Sequence, residues 1–212
     1  MTPDIRVLTH SAVRIVAGVG ILYVDPYGLK DAPRDADFVF VTHEHYDHFS
    51  PDDIAAVRKD SAVLIVPENM FEKARAAMPE GCGIVPVKPG FSYEVGGIAF
   101  ETVPAYNRLK PFHPKSAGWV GYVFLLDGCR VYVAGDTDAT SDARAVRCDV
   151  ALVPVGGTYT MNASQAAGLV NDIRPALAIP THYGSVVGSA ADAEAFRKAV
   201  DPSVRVEILM EG

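Results

Sequence analysis

The sequence has no long hydrophobic run, no closely spaced cysteines and no excess of basic residues. Its apolar stretches stay below the roughly 18 residues that a transmembrane helix requires, and polar residues interrupt the N-terminal stretch where a signal peptide would have an apolar core. The three cysteines lie far apart, which favours reduced thiols over a disulfide framework. These absences predict a cytoplasmic protein without a membrane segment.

The charge balance is acidic, because 26 aspartates and glutamates outnumber 19 lysines and arginines and give a formal net charge of -7. That charge disfavours nonspecific binding to nucleic acid or to an anionic membrane, so neither is expected as a partner. Hydrophobic residues make up 49% and charged residues 21%, which is typical of a globular protein. We therefore predict one domain spanning residues 1–212, and a homo-oligomer is left open.

Short runs rich in valine and isoleucine recur along the chain, and each has the length of one strand and ends in a polar cluster. Examples are DFVFV (37–41), RVYVA (130–134), ALAI (176–179) and VRVEIL (204–209). Four helices are predicted, one opening at Ser50 and the others over Glu68–Met78, Asn162–Ile173 and Ser189–Val200. Many strands with a few helices in one domain indicate two packed sheets with the helices outside them.

One segment, Thr42-His43-Glu44-His45-Tyr46-Asp47-His48, holds three of the six histidines and two carboxylates. Imidazole and carboxylate groups are the usual protein ligands of zinc, manganese and iron. His43 and His45 are two residues apart, so on an extended segment both side chains point the same way. Asp47 and His48 follow after a turn and can reach a second metal position, which makes the segment a candidate site for two metal ions.

Side chains able to bind metal also follow three other apolar runs, at Asp25, Asp136 and His182. If these strands share one sheet and run in the same direction, their ends converge at one edge and bring the side chains together. Several carboxylates in one cleft without a nearby lysine or arginine are costly, and two divalent cations would remove that cost. His10, at the end of the first strand, is a weaker candidate for the same cluster.

The His-x-His-x-Asp-His string, together with Asp25-Pro26, Gly135-Asp136-Thr137 and Thr181-His182-Tyr183-Gly184, resembles the signature of the metallo-β-lactamase superfamily. More narrowly, the chain is similar to small single-domain metal-dependent hydrolases related to ascorbate-phosphate lactonase. The resemblance implies an α/β fold arranged as a four-layer αββα sandwich, with two divalent ions for which zinc is favoured over manganese, nickel or iron. It also implies that His43 and His45 hold one ion, that Asp47, His48 and His182 hold the other, and that Asp136 bridges the two.

One position departs from the family pattern. The family supplies a further histidine to the first ion from the loop that here begins Ala105-Tyr106-Asn107, so Asn107 stands where that histidine is expected. His113, a few residues later, is the next candidate. Three alternatives stay open: His113 fills the position, Asn107 binds weakly through its amide oxygen, or the first ion is weakly held or absent.

These residues predict a metal-dependent hydrolase that uses a hydroxide bridging two ions. Asp47 and Asp136 are the candidate catalytic carboxylates, which would orient the nucleophile or accept a proton. Asp25 and His10 are expected behind the ligands, where a carboxylate fixes the tautomer of a ligand histidine.

The substrate is less well defined by the sequence. Lys110 and Lys115 lie in a basic loop over residues 106–118, and if that loop overhangs the site it favours an anionic small molecule such as a phosphoester or a phosphorylated lactone. Tyr106, Phe112 and Trp119 are candidates for an apolar wall beside the site, and Trp119 is equally a candidate for the start of a core strand. Other readings are a hydrolase of unphosphorylated lactones or esters, an iron-dependent oxidoreductase of the same fold, and a metal-binding protein without catalysis.

Overall fold

A computed structural model describes residues 3–211, whose strands form two mixed sheets. The first sheet has the strand order β1 (Asp4–Thr9), β2 (Ala12–Ala17), β3 (Gly20–Val24), β4 (Ala36–Phe40), β5 (Arg58–Pro67) and β6 (Gly83–Val87). The second contains β7 (Ser92–Val95), β8 (Ile98–Pro104), β9 (Val120–Leu126), β10 (Cys129–Val133), β11 (Val150–Pro154), β12 (Leu177–Thr181) and β13 (Arg205–Val206), also in chain order across the sheet. In each sheet the strands at one end pair antiparallel and those at the other end pair parallel.

Helices cover the outer face of each sheet. The helices are α1 (Pro51–Val57), α2 (Phe71–Ala77), α3 (Ser141–Arg144), α4 (Ala163–Ile173) and α5 (Ala190–Ala199). The first two share an apolar cluster with the first sheet, and the last three share another with the second sheet. A third cluster, to which both sheets contribute, fills the space between them. The predicted αββα sandwich is confirmed.

The alternation of side chains along β4 shows how one strand serves two layers. Phe38 and Phe40 belong to the cluster between the sheets, whereas Val39 and the following Val41 belong to the cluster under the helices. Successive side chains of a strand point to opposite faces, so a strand covered on both sides is apolar throughout. This is why apolar residues follow one another without a break in the run DFVFV instead of alternating with polar ones.

Local sequence accounts for two further features of the fold. Asp127-Gly128 forms a two-residue turn between β9 and β10, with φ values of 50° and 80°. Positive φ at both positions is what the tightest hairpin turns require, and glycine adopts it without steric cost. Asn162 caps α4. Its side-chain oxygen accepts from the main-chain amide of Gln165, and the side-chain oxygen of Gln165 accepts from the main-chain amide of Asn162.

Other elements differ from the prediction. The run 204–209 forms only the two-residue strand β13, because the chain then leaves the second sheet and Met210 pairs with Val7 of the first. β7 and α3 were not predicted, since SYEV is not a valine-rich run and α3 has only four residues. None of the helices within residues 3–211 has the length and apolarity needed to cross a membrane.

Candidate metal centre

The polar residues that follow the strands meet at one edge of the sandwich. The condition that their strands share one sheet is not met. β3 and β4, which lead to Asp25 and His43, belong to the first sheet, whereas β10 and β12, which lead to Asp136 and His182, belong to the second. The residues converge because the parallel parts of both sheets end at this edge. All six histidines of the sequence lie in the resulting cluster.

Main-chain hydrogen bonds join the two sheets at this edge. The amide of Val120 donates to the carbonyl of Thr42 at 3.1 Å, and the amide of His182 donates to the carbonyl of His10 at 2.8 Å. Such direct bonds fix the loops of one sheet relative to those of the other. The spacing between the metal-binding side chains is therefore set by the backbone rather than by flexible side chains.

A first donor set consists of His43, His45 and His113. Each offers a ring nitrogen, and the three nitrogens lie within 4.8 Å of one another. His43 Nε2 and His45 Nδ1 are 3.0 Å apart. The ring of Trp119 covers this set, with its centroid 5.0 Å from that of His43 and 4.9 Å from that of His45. Trp119, which directly precedes β9, therefore lies against two histidines of this set.

A second donor set consists of Asp47, His48 and His182, and Asp136 lies between the two sets. Asp47 Oδ2 is 3.6 Å from His48 Nε2 and 3.7 Å from His182 Nε2. Asp136 Oδ2 is 3.0 Å from His182 Nε2 and 3.2 Å from His113 Nε2. A single carboxylate therefore faces both sets, which is the position of a bridging ligand.

Unpaired polar atoms support a metal at this position. His48 Nε2, His113 Nε2, His182 Nε2 and Asp136 Oδ1 are buried, and none has a hydrogen-bond partner within residues 3–211. Buried polar atoms without partners are rare in folded proteins. Nitrogen and oxygen donors that face one another at these distances fit divalent ions such as zinc, manganese or iron.

Asp25 stands behind the second donor set and orients His48. Its carboxylate accepts from His48 Nδ1 at 2.7 Å and from the Thr42 main-chain amide and hydroxyl at 2.8 and 2.6 Å. A proton held on Nδ1 leaves the Nε2 lone pair of His48 free to face the donor set. These contacts put Asp25 on the far side of the His48 ring from Nε2, and Thr42 is a supporting residue that no sequence pattern marked.

The charges of the cluster are tightly interdependent. Burial would lower the pKa of His48, but the carboxylates of Asp136 and Asp25 outweigh burial and raise the pKa to about 9. Burial would raise the pKa of Asp136, but His182 and His48 hold it well below the usual range. Burial lowers the pKa of His43 and that of His45. Without a metal ion, the proton on His48 supplies the positive charge that the carboxylates require.

Metal uptake is expected to tighten with pH. An ion that binds His48 must displace its proton, so the apparent affinity should rise by about tenfold per pH unit between about pH 7 and 9. The raised pKa of His48 also means that its protonation stabilises the metal-free fold fully below the ordinary value of 6.5, and that this stabilisation is lost as the pH rises through about 9. Calorimetric titration of metal into the chelator-treated protein, in buffers of different ionisation enthalpy, measures both affinity and released protons. A constant affinity over this range would contradict the prediction.

Asn107 and His113 have different places in the centre. The Asn107 side-chain oxygen accepts from His113 Nδ1 at 2.9 Å, and the Asn107 side-chain nitrogen donates to the carbonyl of Tyr159 at 3.0 Å. The Asn107 main-chain amide also donates to the His113 carbonyl at 2.8 Å. These contacts favour the first of the three alternatives, with His113 in the donor set and Asn107 orienting its ring.

Lys110 and Lys115 do not face the donor sets as free cations. The ammonium group of Lys110 is bonded to the carbonyls of Gly157 and Thr160 and lies 3.4 Å from Asp138 Oδ1. Lys115 lies 3.0 Å from Asp142 Oδ2 and 4.5 Å above the ring of Tyr106. The basis for predicting that these lysines bind substrate is thus removed, because the protein itself neutralises them. They anchor the loop over residues 106–118.

Two aromatic pairs flank the centre. Tyr27 and Tyr46 meet edge to face at a centroid distance of 5.8 Å, and Phe112 and Tyr159 do so at 4.8 Å. The pairs are close enough that Tyr27 and Tyr159 both help to raise the pKa of Tyr46, after burial and Asp47. Tyr27 follows Asp25-Pro26 directly and could have been found from that turn, whereas no pattern in the sequence marked Tyr159.

Comparison with known proteins places these features in a family. A family profile described as "Beta-lactamase superfamily domain" matches residues 4–182. A protein of Thermococcus onnurineus named "UPF0173 metal-dependent hydrolase" is 32% identical, over 98% of this chain and 96% of its own length.

Solved structures agree. The crystal structure of a protein from Parabacteroides distasonis, described as a candidate metal-dependent hydrolase, is 30% identical and has a TM-score of 0.84, covering 98% of this chain and 92% of its own. Igni18, a metallo hydrolase from Ignicoccus hospitalis, is 22% identical with a TM-score of 0.82, covering 100% of this chain and 97% of its own. This second likeness concerns the fold alone.

Proposed function

Because the chain belongs to the metallo-β-lactamase superfamily and is a metal-dependent hydrolase, we propose that it hydrolyses esters or phosphoesters with an apolar group, using two divalent ions. The first donor set holds one ion, the second holds the other, and Asp136 contacts both. The observation that carries this proposal is the position of Asp136 Oδ2, at 3.0 and 3.2 Å from one histidine of each set.

Bound divalent ions supply an acidified water as nucleophile and positive charge for the developing oxyanion. The residues of the chain position the water and the substrate. Asp47 is the carboxylate that orients the attacking water and accepts its proton. Burial would raise the pKa of Asp47, but His10 and His48 lower it, so this carboxylate is ionised at neutral pH and can accept a hydrogen bond from the water.

The exposure of the donors indicates where a substrate enters. His43, His48, His113 and His182 are buried, whereas His45 is only half-buried. The open side is therefore next to His45, where the aromatic pairs Tyr27–Tyr46 and Phe112–Tyr159 form the rim. Tyr46 and Phe112 are among the few large apolar side chains of the described residues that are exposed.

The exposed aromatic side chains at the rim favour a substrate that has an apolar portion. Burying such a group removes apolar surface of both molecules from water, which is the main favourable contribution to binding an uncharged group. The lysines that would favour an anionic group are paired within the protein. The substrate is therefore a small molecule whose hydrolysable bond carries an alkyl, acyl or aromatic portion.

A matched substrate panel tests the proposal. The metal-loaded protein is expected to hydrolyse nitrophenyl esters, a phosphodiester or a lactone, and chelation should abolish the activity. Lengthening the acyl chain of the ester should lower KM. Phe112→Ala should raise KM by about tenfold for the long ester and change it little for acetate. A protein that carries two equivalents of metal and hydrolyses none of these compounds would overturn the proposal.

A further inference from the structure

Five of the six histidines belong to the two donor sets, and His10 is the sixth. It lies in the two-residue turn between β1 and β2, with a φ of 47°. This left-handed conformation is uncommon for any residue other than glycine. Asp25 and His182 in the same cluster also have positive φ, at 48° and 58°. Such conformations concentrate at functional sites, because the surrounding contacts must hold them in place.

The turn is fixed against the second donor set. The carbonyl of His10 accepts from the amide of His182 at 2.8 Å, so the two residues are joined through the main chain. The His10 side chain is completely buried, and its ring centroid lies 4.1 Å from that of His182. The ring therefore has one position, beside a proposed metal ligand.

The ring of His10 lies against two members of the second donor set. Its Nε2 lies 3.3 Å from Asp47 Oδ2, and His10, Asp47 and His182 each offer a ligand atom within 4.8 Å of the other two. Within residues 3–211 neither ring nitrogen of His10 has a hydrogen-bond partner of acceptable geometry. A buried imidazole that faces a carboxylate and a second imidazole at these distances has the surroundings of a metal ligand.

We infer that His10 is a direct ligand of the ion held by the second donor set, through its Nε2 atom. The inference rests on the proposed function, which gives this set its ion, and it replaces the expectation that His10 lies behind the ligands. The second ion then has five protein donors, adding His10 and the shared Asp136 to the set.

The inference makes the two metal positions chemically different. The first donor set with Asp136 supplies four donors, which suits the tetrahedral preference of zinc. With His10, the second position would have five donors from the protein, three of them imidazoles.

Nuclear magnetic resonance of the intact protein tests the ligand directly. With ¹⁵N-labelled histidine and ¹¹³Cd as the bound metal, scalar coupling appears only between cadmium and a ring nitrogen bonded to it. Six coupled imidazoles are expected, three of them to the second cadmium. Five coupled imidazoles with His10 uncoupled would overturn the inference and leave the proposed function intact. No coupled imidazole at all would overturn the proposed function itself.

The His10→Asn variant assigns the signal and measures the contribution of His10 to affinity. Asparagine tolerates the left-handed backbone of this turn, so the fold is kept. In competition with a chelator, cadmium at the second set should bind at least about tenfold more weakly, whereas affinity at the first set should not change. Equal loss at both sets, or no loss at either, would contradict direct ligation by His10.

Discussion

Asp136→Asn is expected to lower kcat/KM by at least about 1,000-fold, which corresponds to about 4 kcal/mol of transition-state stabilisation. Asparagine has nearly the same size as aspartate but no charge. The change therefore removes the one carboxylate that faces both donor sets, while the packing around it is kept. The metal content should fall from two equivalents to one or fewer, as measured by elemental analysis after dialysis.

Asp142→Asn provides the matched control for this experiment. Asp142 lies at the start of α3, partly exposed, and is bonded to Tyr106 and Lys115 rather than to a histidine of the centre. Its replacement should leave both metal content and activity near those of the unmodified protein. Two equivalents of metal and turnover within tenfold of normal in Asp136→Asn would contradict the bridging role of Asp136.

His113→Ala is expected to have the second large effect, with loss of the ion at the first donor set and a fall in kcat/KM of at least about 1,000-fold. Alanine removes one of only three imidazoles in that set. Asn107→Ala leaves the imidazole but frees its ring, so a smaller loss of about 10–100-fold is expected. The ratio between the two variants, measured as activity and as metal affinity, distinguishes a ligand from the residue that orients it.

Equal losses in the two variants would contradict this assignment. Asn107 also donates to Tyr159 and contacts Asp138, so its removal could loosen the loop as a whole. Circular dichroism and thermal unfolding of both variants therefore accompany the assay. An Asn107→Ala protein that keeps its unfolding temperature and still loses all metal at the first set would show that Asn107 is itself a ligand.

The sequence predicted the layers of the fold and most of the centre, because both depend on local patterns. The valine-rich runs predicted strands, and the His43–His48 segment together with Asp136 and His182 pointed to one edge. The division of those strands between two sheets was missed, because two strands of opposite sheets can end at the same edge as readily as two neighbours in one sheet. The end of a strand indicates the edge at which the following residues lie. The sheet to which the strand belongs depends on the strands with which it pairs.

The loop over residues 106–118 shows what a local pattern does not contain. Its basic residues suggested a surface for an anionic substrate, but Lys110 is directed to the carbonyls of Gly157 and Thr160, some fifty positions further along the chain. Those carbonyls lie on another loop, and their location depends on the packing of β11 and α4. The same anchoring turns His113 inward, which is why a histidine outside the expected position meets His43 and His45.

Gathering every imidazole into one cluster has a consequence for measurements on the whole molecule. Histidine is the side chain whose ordinary pKa falls between pH 5 and 7, and here none lies anywhere on the remaining surface. Any proton that imidazole takes up or releases in a potentiometric titration of the intact chain therefore belongs to this cluster. A bulk proton count becomes a local probe of one site, without any label.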